Sequence, residues 1–409
     1  MARNRVIYQS EALFVNHQYS GNNTIDIVDG GTVGGTAEGD NFAFHQIHRV
    51  QSANYSFAIN RTDVNQFGNL ARIDTAVIEA PTVSLDFTYL LTNGTNEDKL
   101  GISVDPSNSG AAGGDDGATP MGGILVATSA ISGMLANTSG RNFHILTTKE
   151  GTDAAGNTSA GAGEGSTVIS IGNGFVTNYS AEASVGAIPT ASVSVEGLNI
   201  RSDNAAANLA SPAVDPEAGT QGGGTYQLPD AVSGSVGDVL RPGDVELSLG
   251  NPGLITNLSD SASQNSAHIQ SFNIGLPMGR SALQRLGSSF GFSREVDFPV
   301  QVSIGVSAIM ADVRDAQSLF TELYANTRND LVFTLRKPDS AGAKKGVPQV
   351  AFIVKNATLE SESFSSSIGD NKSVDLSFTA TVGGPEDTTN GLFISGAQIP
   401  DAQRREVSS

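Results

Sequence analysis

The five histidines are the first residues whose chemistry could support catalysis or metal binding. None lies in an HExxH segment or in another spacing that brings two imidazoles to one metal ion. His45 and His48 are three residues apart, but their segment is typical of the entry to a strand, not of a helix. The pattern therefore predicts structural roles for His17, His45, His48, His144 and His268.

Glycine-rich strings could hold a nucleophile or a phosphate, but their spacing fits neither function. Gly161–Gly165 reads GAGEG inside a low-complexity stretch, without the strand-to-helix turn of a nucleophile elbow. The strings GGTVGG and QGGG lack the Lys-Ser/Thr ending of a phosphate-binding loop. No pair of carboxylates has a reason for a shifted pKa. The sequence predicts no catalytic residue, no cofactor and no enzyme.

Two acidic loops could offer oxygen ligands to a calcium ion. One contains Asp115-Asp116, and the other is the segment Gly151–Asn157, which reads GTDAAGN. Neither follows the spacing of an EF-hand or of a nonapeptide calcium repeat. We therefore expect solvated acidic loops and no metal site.

Composition narrows the classes of protein to be considered. The chain has 409 residues, no cysteine and a net charge of −19. Its length suggests two or three domains, and its charge opposes electrostatic binding to nucleic acid. The opening MARNRVIYQSEALFV does not have the pattern of a signal peptide. No segment approaches the ~20 apolar residues of a membrane span, so no membrane anchor is expected.

A stretch that occurs twice organises the chain. Residues 48–90 match residues 267–309, which lie 219 residues later, without a gap. Gln51-Ser52 falls on Gln270-Ser271, and Val83-Ser84-Leu85 falls on Val302-Ser303-Ile304. The apolar positions keep their phase, and a slip of one residue would turn every side chain to the other face of a strand. This match indicates an internal duplication.

The elements around the repeat are mostly strands. Apolar residues alternate with polar ones in both copies, which is typical of strands with one buried face. A hairpin within 169–200 matches one within 351–382, and an offset of 183 places Gly186 on Gly369. The apolar spacing of Ala311–Thr327 predicts a helix, with a weaker copy at 124–138. The predicted fold is mainly β, with two tandem domains that each carry one flanking α-helix.

The order of elements sets the predicted domain boundaries. Residues 1–47 form an N-terminal arm, 48–200 the first domain, 201–245 a linker, 246–384 the second domain and 385–409 a C-terminal tail. The stretch 92–123 is predicted to be a long irregular insertion that the second domain lacks, facing outward or toward another subunit.

The polar positions of the predicted strands form one further feature. They carry small hydroxyl groups and acids, with no large apolar group. They could simply face solvent, or they could form a smooth, mildly acidic wall that neither holds phosphate nor binds bases. The residues assigned to this wall are Ser84, Asp86, Thr88, Ser194, Glu196, Ser303, Asp375 and Ser377.

At these residues the chain resembles the bacteriophage tail tube proteins (major tail proteins) of the duplicated tube-domain type. The resemblance rests on HRVQSANYSFAINRTDVNQFG, on the helix with its following strand, and on the hairpin LESESFSSSIGDNKSVDLSFT. It implies β-barrel or sandwich tube domains, six of which make a ring with a continuous inner barrel. With two domains per chain, the resemblance implies homotrimeric rings with pseudo-sixfold symmetry.

The resemblance also implies a biological setting. The chain would be a virion protein of the viral tail, assembled in the host cytoplasm, and its stacked rings would form a conduit for DNA ejection. Its partners would be further copies of itself and the tail sheath, terminator and baseplate proteins, while DNA would pass without specific binding. Two alternatives stay open: another tail or baseplate ring protein of this fold, or a secreted acidic β-rich adhesin.

Overall fold

The structure is a computed structural model of one chain. It describes residues 11–17, 44–78, 81–106, 128–136, 140–148, 153–154, 166–204, 209–210, 212, 225–226, 228, 240, 245–249, 268–283, 286, 293–309, 328–336, 348–365, 373–385 and 387–396.

The described part is mainly β, as the alternation predicts. Its strands are β1 (Glu11–His17), β2 (His45–Ile47), β3 (Val50–Ala58), β4 (Arg61–Val64), β5 (Asp74–Val77), β6 (Thr82–Leu90), β7 (Val104–Pro106), β8 (Arg141–Thr147), β9 (Thr167–Ser184), β10 (Thr190–Gly197), β11 (Asn199–Asp203), β12 (Leu209–Ala210), β13 (Thr225–Tyr226), β14 (Val245–Leu249), β15 (His268–Pro277), β16 (Arg280–Leu283), β17 (Ser293–Val296), β18 (Gln301–Ile309), β19 (Arg328–Arg336), β20 (Pro348–Ser365), β21 (Ser373–Thr381) and β22 (Gly391–Gly396). Its two short helices are α1 (Thr95–Lys99) and α2 (Ser132–Ala136).

Eight strands form one continuous layer, which we call the eight-strand layer. Their order is β3-β6-β10-β9-β15-β18-β21-β20. The first four belong to the first half of the chain and the last four to the second half. The junction between the halves is the antiparallel pair β9·β15.

Two long strands connect this layer to a second layer. The first part of β9 pairs with β8 and β11, and its second part pairs with β10. The first part of β20 likewise pairs with β19 and β22, and its second part with β21. The layers pack face to face: the rings of Phe87 on β6 and Phe143 on β8 lie 6.3 Å apart. In the second half the rings of Phe272 and Phe333 stack at 4.6 Å.

Matching backbone features mark the place where each long strand changes layer. Asn173 in β9 and Asn356 in β20 both have positive φ, at 53° and 62°. The Asn173 N–H donates to the side chain of Asn142, and the Asn356 N–H donates to that of Asp330. Asparagine tolerates the left-handed region better than most residues, and each backbone donor is satisfied by the neighbouring strand.

The pairing of the second half follows that of the first half residue for residue. Val193 lies opposite Phe87 in β10·β6, and Leu376 lies opposite Val306 in β21·β18. Adding 183 to the first number and 219 to the second converts one pair into the other. These are the two offsets read from the sequence.

The irregularities in the pairing also correspond. Thr177 is skipped where β9 pairs with β10, and Glu360 is skipped where β20 pairs with β21. Gln51 is skipped between β3 and β6, and Gln270 between β15 and β18. A β-bulge is a specific local feature of a strand pair. Its recurrence at equivalent positions indicates that the two halves have the same strand order and register.

Segments that the sequence assigns outside the two domains also pair into the sheets. The predicted arm contains β1, which pairs along its length with β8, and the predicted tail contains β22, which pairs with β20. The expectation of an irregular insertion is wrong for its first part, because α1 and β7 lie there. β7 pairs in parallel with β22, so this part connects the two halves of one chain. The predicted helix Ala311–Thr327 lies outside the described residues, and α2 lies within the predicted weaker copy.

Candidate functional site: the polar face of the eight-strand layer

Strict alternation divides the eight-strand layer into an apolar face and a polar face. In β6 the side chains of Val83, Leu85 and Phe87 are buried in the core. Ser84 and Asp86 therefore point away from the core. We call this second surface the polar face.

The structure places all eight residues assigned to the wall on the polar face. Ser194 lies opposite Asp86, and Glu196 lies opposite Ser84. None of the eight is buried. They form two groups, separated by β9 and β15: Ser84, Asp86, Thr88, Ser194 and Glu196 on β6 and β10, and Ser303, Asp375 and Ser377 on β18 and β21.

Hydroxyl groups bond to one another across the polar face. The Oγ atoms of Ser56 and Ser84 are 2.7 Å apart, and Ser52 Oγ lies 2.7 Å from Thr88 Oγ1. Cross-strand hydroxyl pairs of this kind stabilise a sheet modestly. They also reduce the number of free donors that the surface could offer to a passing phosphate.

The polar face carries a depression of about 510 Å³. It is lined by residues of β9, β15, β18, β21 and β20 and by the turn after β9, which contributes Ala187 and Ile188. Of the eight residues assigned to the wall, Asp375 and Ser377 line this depression.

Within the eight-strand layer, the outward positions carry acids but no lysine or arginine. The one lysine of these strands, Lys355, lies in the first part of β20, which pairs with β19 and β22 in the second layer. One cation reaches the face from elsewhere, because Nη1 of Arg294 on β17 lies 2.7 Å from Oε1 of Glu196. This ion pair compensates the charge of Glu196. Asp86 and Asp375 are exposed.

A buried carboxylate that sequence reasoning missed lies behind the first half of the layer. Glu97 on α1 is fully buried, and its Oε1 accepts hydrogen bonds from the hydroxyls of Tyr89 at 2.8 Å and Tyr179 at 3.1 Å. Burial raises the pKa of Glu97, although hydrogen bonds to the carboxylate act against that. The cluster joins α1, β6 and β9 and is closed to substrate. The one sequence signal for this cluster is that Tyr89 and Tyr179 occupy apolar positions of the alternating pattern, where a buried hydroxyl needs a partner.

We expect replacement of Glu97 by alanine to lower the free energy of unfolding by about 2–5 kcal/mol, because two buried hydroxyls lose their acceptor and a cavity forms. Glu97→Gln keeps an oxygen acceptor and should cost far less at neutral pH. Urea unfolding of both variants measures the difference. An equal loss in both would contradict a role for the hydrogen bonds.

The raised pKa of Glu97 also predicts a pH effect with a definite sign. The folded chain holds the proton of Glu97 more tightly than the unfolded chain, in which the carboxyl group has its ordinary pKa of 4.5. The contribution of this group to stability therefore decreases as pH rises from 4.5 through the raised pKa. Glu97→Gln should remove that part of the pH dependence.

His144 lies between two polar side chains in the second layer. It is buried, with Nδ1 at 2.8 Å from Ser170 Oγ and Nε2 at 3.2 Å from Asn16 Oδ1. Because the Asn16 oxygen only accepts, we assign the proton to Nε2. Burial lowers the pKa of His144 to about 3. The predicted structural role fits these contacts.

Acidification should therefore destabilise the chain through His144. The contribution of neutral His144 to stability is complete above pH 6.5, which is the ordinary pKa of a histidine, and is lost as pH falls toward 3. We expect the free energy of unfolding to fall by about 2 kcal/mol between pH 6.5 and 5. His144→Gln, whose amide can still donate and accept, should show a correspondingly flatter stability profile over that range. Parallel profiles for the two proteins would contradict this assignment.

Within the described ranges, no three His, Asp or Glu side chains are grouped closely enough to hold a metal ion. No helix in the described part of the chain has the length and apolar character to span a membrane.

Comparisons with known proteins complete the description. No protein-family model matches the chain, and no curated protein matches it in sequence. Among solved structures, it is similar to a chain from the tail of an empty GTA particle, obtained by helical refinement with C6 symmetry. The identity is 15% and the TM-score 0.23, over 34% of this chain and 92% of that chain. A TM-score of this size does not establish a shared fold.

Proposed function

We propose that the chain is a structural protein of a phage-type tail and that its two halves are copies of one tube domain. Three chains would form a ring of six domains, and stacked rings would form a tube through which DNA is ejected. The observation that carries this proposal is the equal strand order and register of the two halves, which already lie side by side in one sheet. Their extents, predicted as 48–200 and 246–384, belong to the proposal.

The number of strands supports a ring of several chains. An eight-stranded barrel has an interior only wide enough to be filled by side chains, so one chain could not enclose a channel. Three chains would supply roughly 24 strands. At about 4.8 Å between strands and a tilt of 35–45°, the backbone diameter would be about 45–50 Å. That leaves room for a DNA duplex.

The chemistry of the polar face suits the inner wall of such a channel. Its acids repel phosphate and its hydroxyl groups leave phosphate hydrated, and these small polar side chains offer little apolar surface to bases. We assign Ser84, Asp86, Thr88, Ser303 and Asp375 to this wall, together with Ser194, Glu196 and Ser377.

This role implies partners and a location. The main partner is the chain itself, within rings and between stacked rings. Tail sheath, terminator and baseplate proteins would contact the ends or the outside of the tube, and the virion tail would be the final location. No enzyme activity is part of this role.

Negative-stain microscopy combined with mass measurement of the purified protein tests the proposal. We expect long hollow rods built from rings of three chains. Single rings that never stack would instead favour a terminator or baseplate ring protein. A monomer at all concentrations would exclude both.

A further inference from the structure

The junction between the two halves is an internal example of how domains pair. In β9·β15, Asn273 lies opposite Glu182, and Leu276 lies opposite Tyr179. The hairpin β16–β17 then crosses onto the first half. Arg280 lies over the ring of Phe175 at 5.0 Å, and Arg294 binds Glu196. The second half therefore contacts the first through one strand edge and one hairpin.

The first half carries the same strand and hairpin, but their apolar side chains are exposed. The hairpin β4–β5 pairs Arg61 with Val77, as β16–β17 pairs Arg280 with Val296. At four equivalent positions both halves have an apolar residue. In the first half these residues are exposed: Tyr55 by 44%, Phe57 by 45%, Ile59 by 40% and Val77 by 52%. Their equivalents in the second half are buried: Ile274, Leu276 and Met278 are 0% exposed and Val296 is 7% exposed.

The opposite end of the layer offers the matching edge. The second part of β20, from Leu359 to Ser365, pairs with β21 along one edge. Among the described strands, none pairs with its other edge. The equivalent edge of β9 is the one that receives β15. The layer thus ends in two open edges that correspond to the two sides of its own internal junction.

Glu362 gives this edge a polar group that faces the buried side of the layer. It lies opposite Leu376, whose side chain is in the core. Both carboxylate oxygens are shielded from solvent, and neither has a hydrogen-bond partner among the described residues. A buried carboxylate without donors is costly. This favours an interface that is completed by another chain.

We infer that β3 of one chain adds to the second part of β20 of the next chain, with the register of the internal β9·β15 junction. The strand pairing is argued from the internal junction alone, and only its closure into a ring rests on the proposed function. The register places Asn54 opposite Ser365, Tyr55 opposite Phe364, Ser56 opposite Ser363, Phe57 opposite Glu362 and Ala58 opposite Ser361. The hairpin β4–β5 then lies across β20 and β21 of the next chain and covers Ile59 and Val77.

The occupant of this edge is a second copy, for two reasons. First, β3 exposes apolar residues at the positions where the equivalent strand β15 buries apolar residues against β9. The exposed surface of β3 therefore suits another domain of this chain. Pairing of open edges also removes the exposed backbone groups that would otherwise attract unrelated strands. A head-to-tail contact of this kind closes into a ring when the rotation per chain permits it.

Engineered disulfides test the register, and the absence of cysteine from the chain gives a clean background. The test variant combines Asn54→Cys with Ser365→Cys. A matched variant combines Asn273→Cys with Glu182→Cys, the equivalent pair within one chain. A control combines Asn54→Cys with Glu362→Cys, whose thiols lie on opposite faces of the sheet and out of register.

After mild oxidation of assembled protein, we expect the test variant to give covalent dimers and trimers on a non-reducing gel. The matched variant should close within one chain, and the control should stay monomeric. Failure of the test pair while the matched pair closes, or equal linkage of the control, would overturn the inferred register.

The two proposals fail in different ways. If microscopy shows rods of trimeric rings but the test pair does not link, the inferred register is wrong and the tube role stands. If the test pair links efficiently but the products extend beyond trimers, the edge pairing stands and the ring of three is wrong. If it links and the rings do not stack into rods, the edge pairing stands and the tube role is wrong.

Discussion

Phe57→Glu should prevent the chains from associating, whereas Phe57→Lys should weaken association much less. In the inferred interface this position faces Glu362, so glutamate brings two carboxylates together and lysine brings opposite charges together. Like charges at a buried contact are strongly unfavourable, and we expect the two variants to differ by at least ~10-fold in the concentration for half-assembly. Sedimentation velocity at pH 8 measures this, because burial raises the pKa of Glu362 and a high pH favours its charged form.

A matched pair of variants at Tyr55 separates this local effect from the net charge of −19. Tyr55 is as exposed as Phe57, but the inferred register places it opposite Phe364. Tyr55→Glu and Tyr55→Lys should therefore impair assembly to similar extents. If the sign of the charge mattered equally at both positions, the pairing of Phe57 with Glu362 would be wrong.

Lysines on the polar face should turn a surface that repels DNA into one that retains it. Asp86→Lys with Asp375→Lys places two cations per chain on the proposed channel wall. Each phosphate neutralised releases counterions, so binding should fall steeply as salt rises. We expect assembled rods of this variant to bind a short fluorescent duplex at low salt, to release it at high salt and to protect it from nuclease.

The control changes net charge equally without changing the polar face. Glu11→Lys with Ser202→Lys and Asn204→Lys places the cations on β1 and at the end of β11, which belong to the second layer, and keeps the ion pair of Asp203 with Arg201. Some external DNA binding is expected from this variant, but no nuclease protection. Equal protection by both variants would show that the polar face does not line the channel. Glu196 is left unchanged because its loss would strand Arg294.

The sequence was informative where structure follows from local alternation and from the repeat. The offsets of 219 and 183 align the strands β3, β6, β9 and β10 with β15, β18, β20 and β21, and the structure pairs them in the same register. The alternation of β6 also separates Ser84 and Asp86 from the core. Both inferences depend only on the two-residue period of a strand.

Long-range partners could not be read in this way. The pairing of β1 with β8 and of β7 with β22 joins segments whose own sequences carry no signal for each other. The contact of Arg294 with Glu196 depends on where a hairpin crosses the sheet, and Glu97 meets two tyrosines only after α1 packs against β6 and β9. Such contacts arise from tertiary packing, which periodicity does not encode.

The measurement that tests the central claim most directly is a cryo-electron microscopy reconstruction of the assembled ring. The account predicts three chains, with β3 of each chain beside β20 of the next and with Asp86 and Asp375 facing the channel. A ring in which the β3 edge stays open to solvent, or in which the polar face points outward, would contradict it.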